Sequence, residues 1–117
     1  EAGVSGAKTK TIQGLADAAL SKKINFSKLH TITSDEEIFS QLTNLWGIGP
    51  WTVDMFMMFQ LGRLDIWPTG DLGVRRGWEK VHKLKEEITP DELLKKGDKF
   101  KPHRSIVAWY CWRALDM

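Results

Sequence analysis

Apolar residues recur along this chain at intervals of three and four, the spacing of amphipathic helices, and the pattern reads as helical throughout. Ser5 is placed to cap a first helix that carries Ile12, Leu15, Ala16, Ala19 and Leu20 on one face. Residues 21–33 read as a polar connection with Ile24, Phe26 and Leu29 tucked back. Ser34 followed by Asp35, Glu36 and Glu37 is a cap followed by acids that suit the positive end of a helix dipole, and Ile38, Leu42 and Leu45 continue at helical spacing. The pattern breaks at Gly47-Ile48-Gly49-Pro50, and Pro50 suits the first turn of a new helix because its missing N–H would have no partner there. Trp51, Val53, Met55, Phe56, Met58 and Phe59 make that helix apolar almost all round, which predicts a central position and an end near Leu61, before Gly62. A loop over 63–70 leads to Asp71, which opens a helix near 71–83. Thr89-Pro90-Asp91-Glu92 starts a short helix that ends near Gly97. Pro102 starts the last helix, with Ile106, Val107, Tyr110 and Ala114 spaced for one buried face. The prediction is an all-α fold, a helical bundle in a single domain over 1–117, with two helices joined by a tight turn across 35–61.

Composition narrows the class. With 117 residues, 42% hydrophobic and 27% charged, the chain reads as globular rather than disordered. Its apolar runs are too short to span a bilayer, and no secretory leader is visible. A net charge of +2 does not announce nucleic acid, and the clusters Lys8/Lys10, Lys22/Lys23/Lys28, Arg75/Arg76 and Lys95/Lys96/Lys99/Lys101 read individually as solvated helix faces. Cys111 is the single cysteine, so an internal disulfide and a four-cysteine metal site are both excluded. Its setting between Tyr110 and Trp112 reads as that of a small buried hydrophobe. Six tryptophans are available for core packing or for stacking on extruded bases.

The turn Leu45-Trp46-Gly47-Ile48-Gly49-Pro50 carries the first candidate chemistry. Two glycines around one apolar residue let the backbone turn tightly and approach another surface. The helix that follows presents unbonded N–H groups and a positive dipole end, a setting suited to a phosphate. An ordinary helix–helix turn with Ile48 as a plug fits the same residues. Asp71 likewise reads locally as a helix cap, and Trp51 as either core or stacking surface.

Three separated segments, in order, resemble the helix-hairpin-helix DNA glycosylase superfamily, most of all its 3-methyladenine DNA glycosylase II branch. They are Leu45 to Asp54, Asp65 to Arg76 and Lys101 to Arg113, and Gly3 to Leu20 is similar to the helix that precedes the hairpin. The resemblance implies a partial helix-hairpin-helix glycosylase fold in which Gly47, Gly49 and Thr52 bind a backbone phosphate of double-stranded DNA. It also implies a monovalent cation, Na+ or K+, held by the carbonyls of Thr43, Leu45 and Ile48, and no other cofactor. Asp71 stands where the family carries its catalytic aspartate. Cleavage of an N-glycosidic bond builds positive charge on the sugar, which a fixed carboxylate stabilises, or it orients the attacking water. An alkylated purine is already cationic and leaves with little acid assistance. Trp51 stands where bifunctional relatives carry the lysine that forms a Schiff base, which implies a monofunctional hydrolase with an indole wall in its base pocket. Met55, Leu72 and His103 complete that pocket at positions where relatives often carry aromatics, so this pocket stacks more weakly. Asp54 and Asp65 read as structural acids, and Lys101 and Arg104 as phosphate contacts or as helix-capping or solvated residues. Family members run well beyond this length, so the expectation includes missing N-terminal helices, or a homodimer that covers the same surface, in an intracellular, DNA-associated protein.

Overall fold

A computed structural model of the chain describes residues 6–21 and 24–117. Among these the regular structure is helical, with six α-helices, two short 3₁₀ segments and no strand, as the periodicity predicts. The chain divides into two compact units, Glu1–Val53 and Asp54–Met117. Among the described residues, no helix is long and apolar enough to cross a membrane.

The first unit holds α1 (Gly6–Leu20), a 3₁₀ segment (Phe26–Thr31), α2 (Asp35–Thr43) and the start of α3 (Pro50–Phe59). The expected cap Ser5 lies outside the described residues. The covered face of α1 differs from the expected one: Ala18 is buried and Thr11, Gly14 and Leu15 are partly covered, whereas Ile12 and Leu20 are exposed. The reason is close approach. Thr11 lies so near the hairpin that a Cβ on Gly47 would fall 2.0 Å from its Oγ1. Small residues let α1 come that close, and the larger apolar ones are turned away. Ile24 and Leu29 are buried as expected. Ser34 caps α2 by accepting the Glu37 N–H at 3.2 Å, and Ile38, Leu42 and Leu45 are buried beneath.

α3 is less central than its composition suggests. Val53 and Met57 form one buried stripe, Met55, Phe56 and Met58 are half-buried, and Trp51 and Phe59 are exposed. The helix ends at Phe59, and Gly62 takes the left-handed conformation at φ +65° just beyond.

The second unit is built on α4 (Leu72–His82) packed against α6 (Arg104–Leu115), with α5 (Pro90–Lys96) and a 3₁₀ turn (Asp98–Phe100) between them in sequence. Gly77 makes the crossing possible, since a Cβ there would lie 1.9 Å from the Cys111 carbonyl oxygen. This contact corrects the expected face of α6. Ser105, Ala108 and Cys111 are buried, Val107 and Ala114 are half-buried, and Ile106 and Tyr110 are exposed. The helix also starts at Arg104 rather than Pro102, because Asp65 accepts the Arg104 backbone N–H at 3.2 Å and grips its guanidinium. Around this crossing Trp67, Val74, Trp78, Ile88 and Leu93 complete a core in which Trp67 and Trp78 meet edge to face at 5.8 Å. Cys111 sits in it as expected, with burial pushing its thiol pKa up to about 11. Thr89 and Glu92 form the expected capping box on α5.

Candidate functional site

The segment 63–70 is irregular but not loose, and its anchoring decides where Asp71 lies. Ile66, Trp67 and Pro68 are buried. Buried backbone must find partners, and Ser105 supplies two: its hydroxyl accepts the Ile66 N–H at 2.8 Å and donates to the Arg63 carbonyl at 2.7 Å. The Trp67 indole N–H donates to the Leu93 carbonyl at 2.8 Å. Asp65 takes two hydrogen bonds from the Arg104 side chain, at 2.7 and 3.0 Å, and this guanidinium holds its carboxyl below the usual carboxylate range. The Asp71 N–H then donates to the Pro68 carbonyl at 2.9 Å. The chain therefore reaches Asp71 from a fixed base.

Asp71 is the N-cap of α4. Its Oδ2 accepts the Val74 N–H at 2.9 Å and the Trp112 indole N–H at 2.7 Å. Trp112 is in turn stacked on Phe59, with ring centroids 5.8 Å apart. Gly73 makes room for this arrangement, since a Cβ there would lie 2.9 Å from Trp112 Cδ1 and 3.1 Å from Asp71 Oδ2. Two donors on one oxygen orient a partly exposed carboxylate, the form of preorganisation that stabilises a developing cation. Capping and catalysis are thus compatible here. Trp112 was not among the residues expected at the site. A glycine in the first turn of α4 is the sequence signal for a side chain packed close by.

The hairpin runs from α2 through Asn44–Gly49 into α3. Gly47 has φ +77°, a conformation that favours glycine, and the Ile48 N–H closes the turn on the Leu45 carbonyl at 3.2 Å. Gly49 has nothing within 4 Å of a built Cβ. The Val53 N–H to Gly49 carbonyl bond, 3.2 Å, is the first of α3, so the Trp51 and Thr52 amides precede the intrahelical ladder. Thr52 is exposed. The Thr43 carbonyl belongs to the last turn of α2, and the Leu45 carbonyl keeps a second lone pair. Together with Ile48 these are neutral oxygens, a donor set that fits a monovalent cation. Among the described residues, no cluster of His, Cys, Asp or Glu could hold a metal ion.

The remaining expected pocket residues are placed variously. Trp51 is 52% exposed and Leu72 is 55% exposed, while Met55 is half-buried. His103 is exposed at the N-cap of α6, where its backbone N–H donates to the Phe100 carbonyl at 2.8 Å. Of the two acids read as structural, Asp65 accepts the Arg104 backbone N–H at the start of α6 and pairs with its guanidinium, so the Arg104 side chain is held in an ion pair. Asp54 is partly buried, and desolvation raises its pKa to about 6. Lys101 is exposed and pairs with Asp98 at 3.4 Å.

No family model matches this sequence. Curated proteins do. DNA-3-methyladenine glycosylase 1 of Schizosaccharomyces pombe is 35% identical over 98% of this chain and 50% of its own length. The alkylbase DNA glycosidase-like protein mag2 of the same organism is 34% identical over 97% of this chain and 53% of its own length. The chain thus spans about half the length of these curated relatives. Among solved structures, the Schizosaccharomyces pombe 3-methyladenine DNA glycosylase (Mag1) in complex with abasic DNA superposes with a TM-score of 0.89 at 34% identity, covering 98% of this chain and 56% of the other.

Proposed function

Because the chain belongs to the helix-hairpin-helix DNA glycosylase superfamily, we propose that it excises alkylated purines such as 3-methyladenine from double-stranded DNA by hydrolysing the N-glycosidic bond. The observation that carries this reading is the Asp71 carboxylate, held at the start of α4 by the Val74 and Trp112 N–H groups. The cationic base departs with the bonding electron pair, and the Asp71 carboxylate stabilises the positive charge left on the sugar and orients the water that attacks it. The water adds to the anomeric carbon and gives up a proton to the surrounding solvent, leaving an abasic site and the free base. Trp51 stacks on the electron-poor base, and Met55, Leu72 and His103 shape its surroundings. Without an amine at Trp51 no Schiff base forms, so the strand is not cut.

The amides of Gly47, Gly49 and Thr52 take a backbone phosphate. Na+ or K+ on the carbonyls of Thr43, Leu45 and Ile48 would add positive charge beside it. Replacing both ions by a bulky organic cation at equal ionic strength is then expected to weaken duplex binding. Exposed apolar side chains such as Phe59, Leu64 and Trp109 suit coverage by a second copy or by further chain of a longer protein.

Methylated duplex DNA tests the reading directly. The intact protein is expected to release 3-methyladenine, and Asp71→Asn to lower that rate at least about a hundredfold while duplex binding persists. Release undiminished in the variant would overturn the role of Asp71. Duplex binding with no release by the wild type would leave only a non-catalytic DNA-binding module.

A further inference from the structure

We propose that Lys10 and Trp46 form a second phosphate-binding element beside the hairpin, with the indole aiming the lysine at the DNA backbone. The inference rests on the hairpin binding duplex DNA and extends that surface onto α1. Trp46 occupies the turn itself, immediately before Gly47, and is 49% exposed despite its size. The Lys10 ammonium lies over its ring, 4.3 Å from the centroid. Thr11, the next residue of α1, is the one packed against Gly47. The register of α1 on the hairpin therefore brings Lys10 to the edge of the turn.

Charge makes this placement informative. Lysine is a flexible side chain, and ordering one has an entropic cost. Here it is ordered over an aromatic face and, among the described residues, without a carboxylate to neutralise it. Lys101 behaves differently: its ammonium pairs with Asp98 at 3.4 Å. A cation held in place but not neutralised, next to helix-terminal amides, suits an anion that two sites can share. The phosphates of a duplex strand supply a row of such anions at regular spacing. In sequence Lys8 and Lys10 read as a solvated face, because nothing local links them to the turn at Trp46.

Titration of a labelled duplex bearing an abasic-site analogue, at several salt concentrations, tests the proposal. Lys10→Gln is expected to weaken binding severalfold at moderate salt. It should also reduce the slope of log affinity against log salt by about one, the signature of one lost phosphate contact. Lys10→Arg should retain both, and Trp46→Ala, which keeps the charge but not its support, should lose part of the affinity. The unfolding midpoint of Lys10→Gln should match that of the wild type. If the wild type binds with a salt-dependent affinity and Lys10→Gln reproduces both affinity and slope, the pair is only structural and the proposal falls. If the wild type shows no salt-dependent duplex binding, the hairpin reading falls with it.

Discussion

One of the hydrogen bonds that orient the carboxylate at residue 71 comes from a tryptophan distant in sequence. Trp112→Phe would remove that donor and keep an aromatic ring to stack on Phe59. A carboxylate released from this donor spends less time in the productive geometry, so kcat is expected to fall about ten- to a hundredfold. KM should change little, since the indole acts through Asp71 and not on the substrate. Steady-state rates on methylated DNA would show the split, and an equal loss in both parameters would mean that Trp112 acts otherwise. The hairpin glycines make a second residue-level contrast. Gly47→Ala meets Thr11 and an unfavourable φ, whereas Gly49→Ala meets open space. The first should lower stability by about 1–3 kcal/mol and the second by much less, as thermal unfolding would report. Asp71 and the two glycines were legible in sequence because capping and turn chemistry are local. Trp112 was not, because its role exists only once α6 lies against α4.

At the level of elements, starts and stops were easier to read than faces. Ser34, Asp71 and Thr89 each cap the helix expected of them. The buried faces of α1 and α6 were misjudged for a common reason. Large apolar residues were expected inside, but the close contacts at Thr11–Gly47 and Gly77–Cys111 require small ones there. A composition rule weighs side-chain hydrophobicity and has no access to how near two backbones come. The loop over 63–70 was expected as a connection, yet it is bound into the core through Ser105. Ser105→Ala is therefore expected to leave the Ile66 N–H buried without a partner and to lower stability by about 1–3 kcal/mol. Because this loop leads to Asp71, turnover should fall below the unfolding temperature as well. Circular dichroism melts and rates measured on the same sample would check both.

At the scale of the whole molecule, Asp54 and Asp65 pull the response of stability to pH in opposite directions. Asp54 is raised from 3.8 to about 6 by burial. Below pH 3.8 it is protonated in both folded and unfolded chains, and its contribution is fully present. As pH rises toward 6 the unfolded chain ionises first, so stability drains away and the loss is complete above that value. Asp65 is lowered from 3.8, chiefly by its hydrogen bonds to Arg104, so its stabilisation is present above that pH and is lost as pH falls through the folded value. Asp54→Asn should then match the wild type near pH 4 and melt higher at pH 7, because an amide has no charge to bury. Asp65→Asn should melt lower at pH 7, with the gap closing below pH 3.8. Tryptophan fluorescence melts across that range would separate the two effects. An Asp54→Asn melting curve identical to the wild type at pH 7 would mean that the Asp54 carboxylate reaches solvent or a partner in solution, and the acid-side gain would have to come from elsewhere.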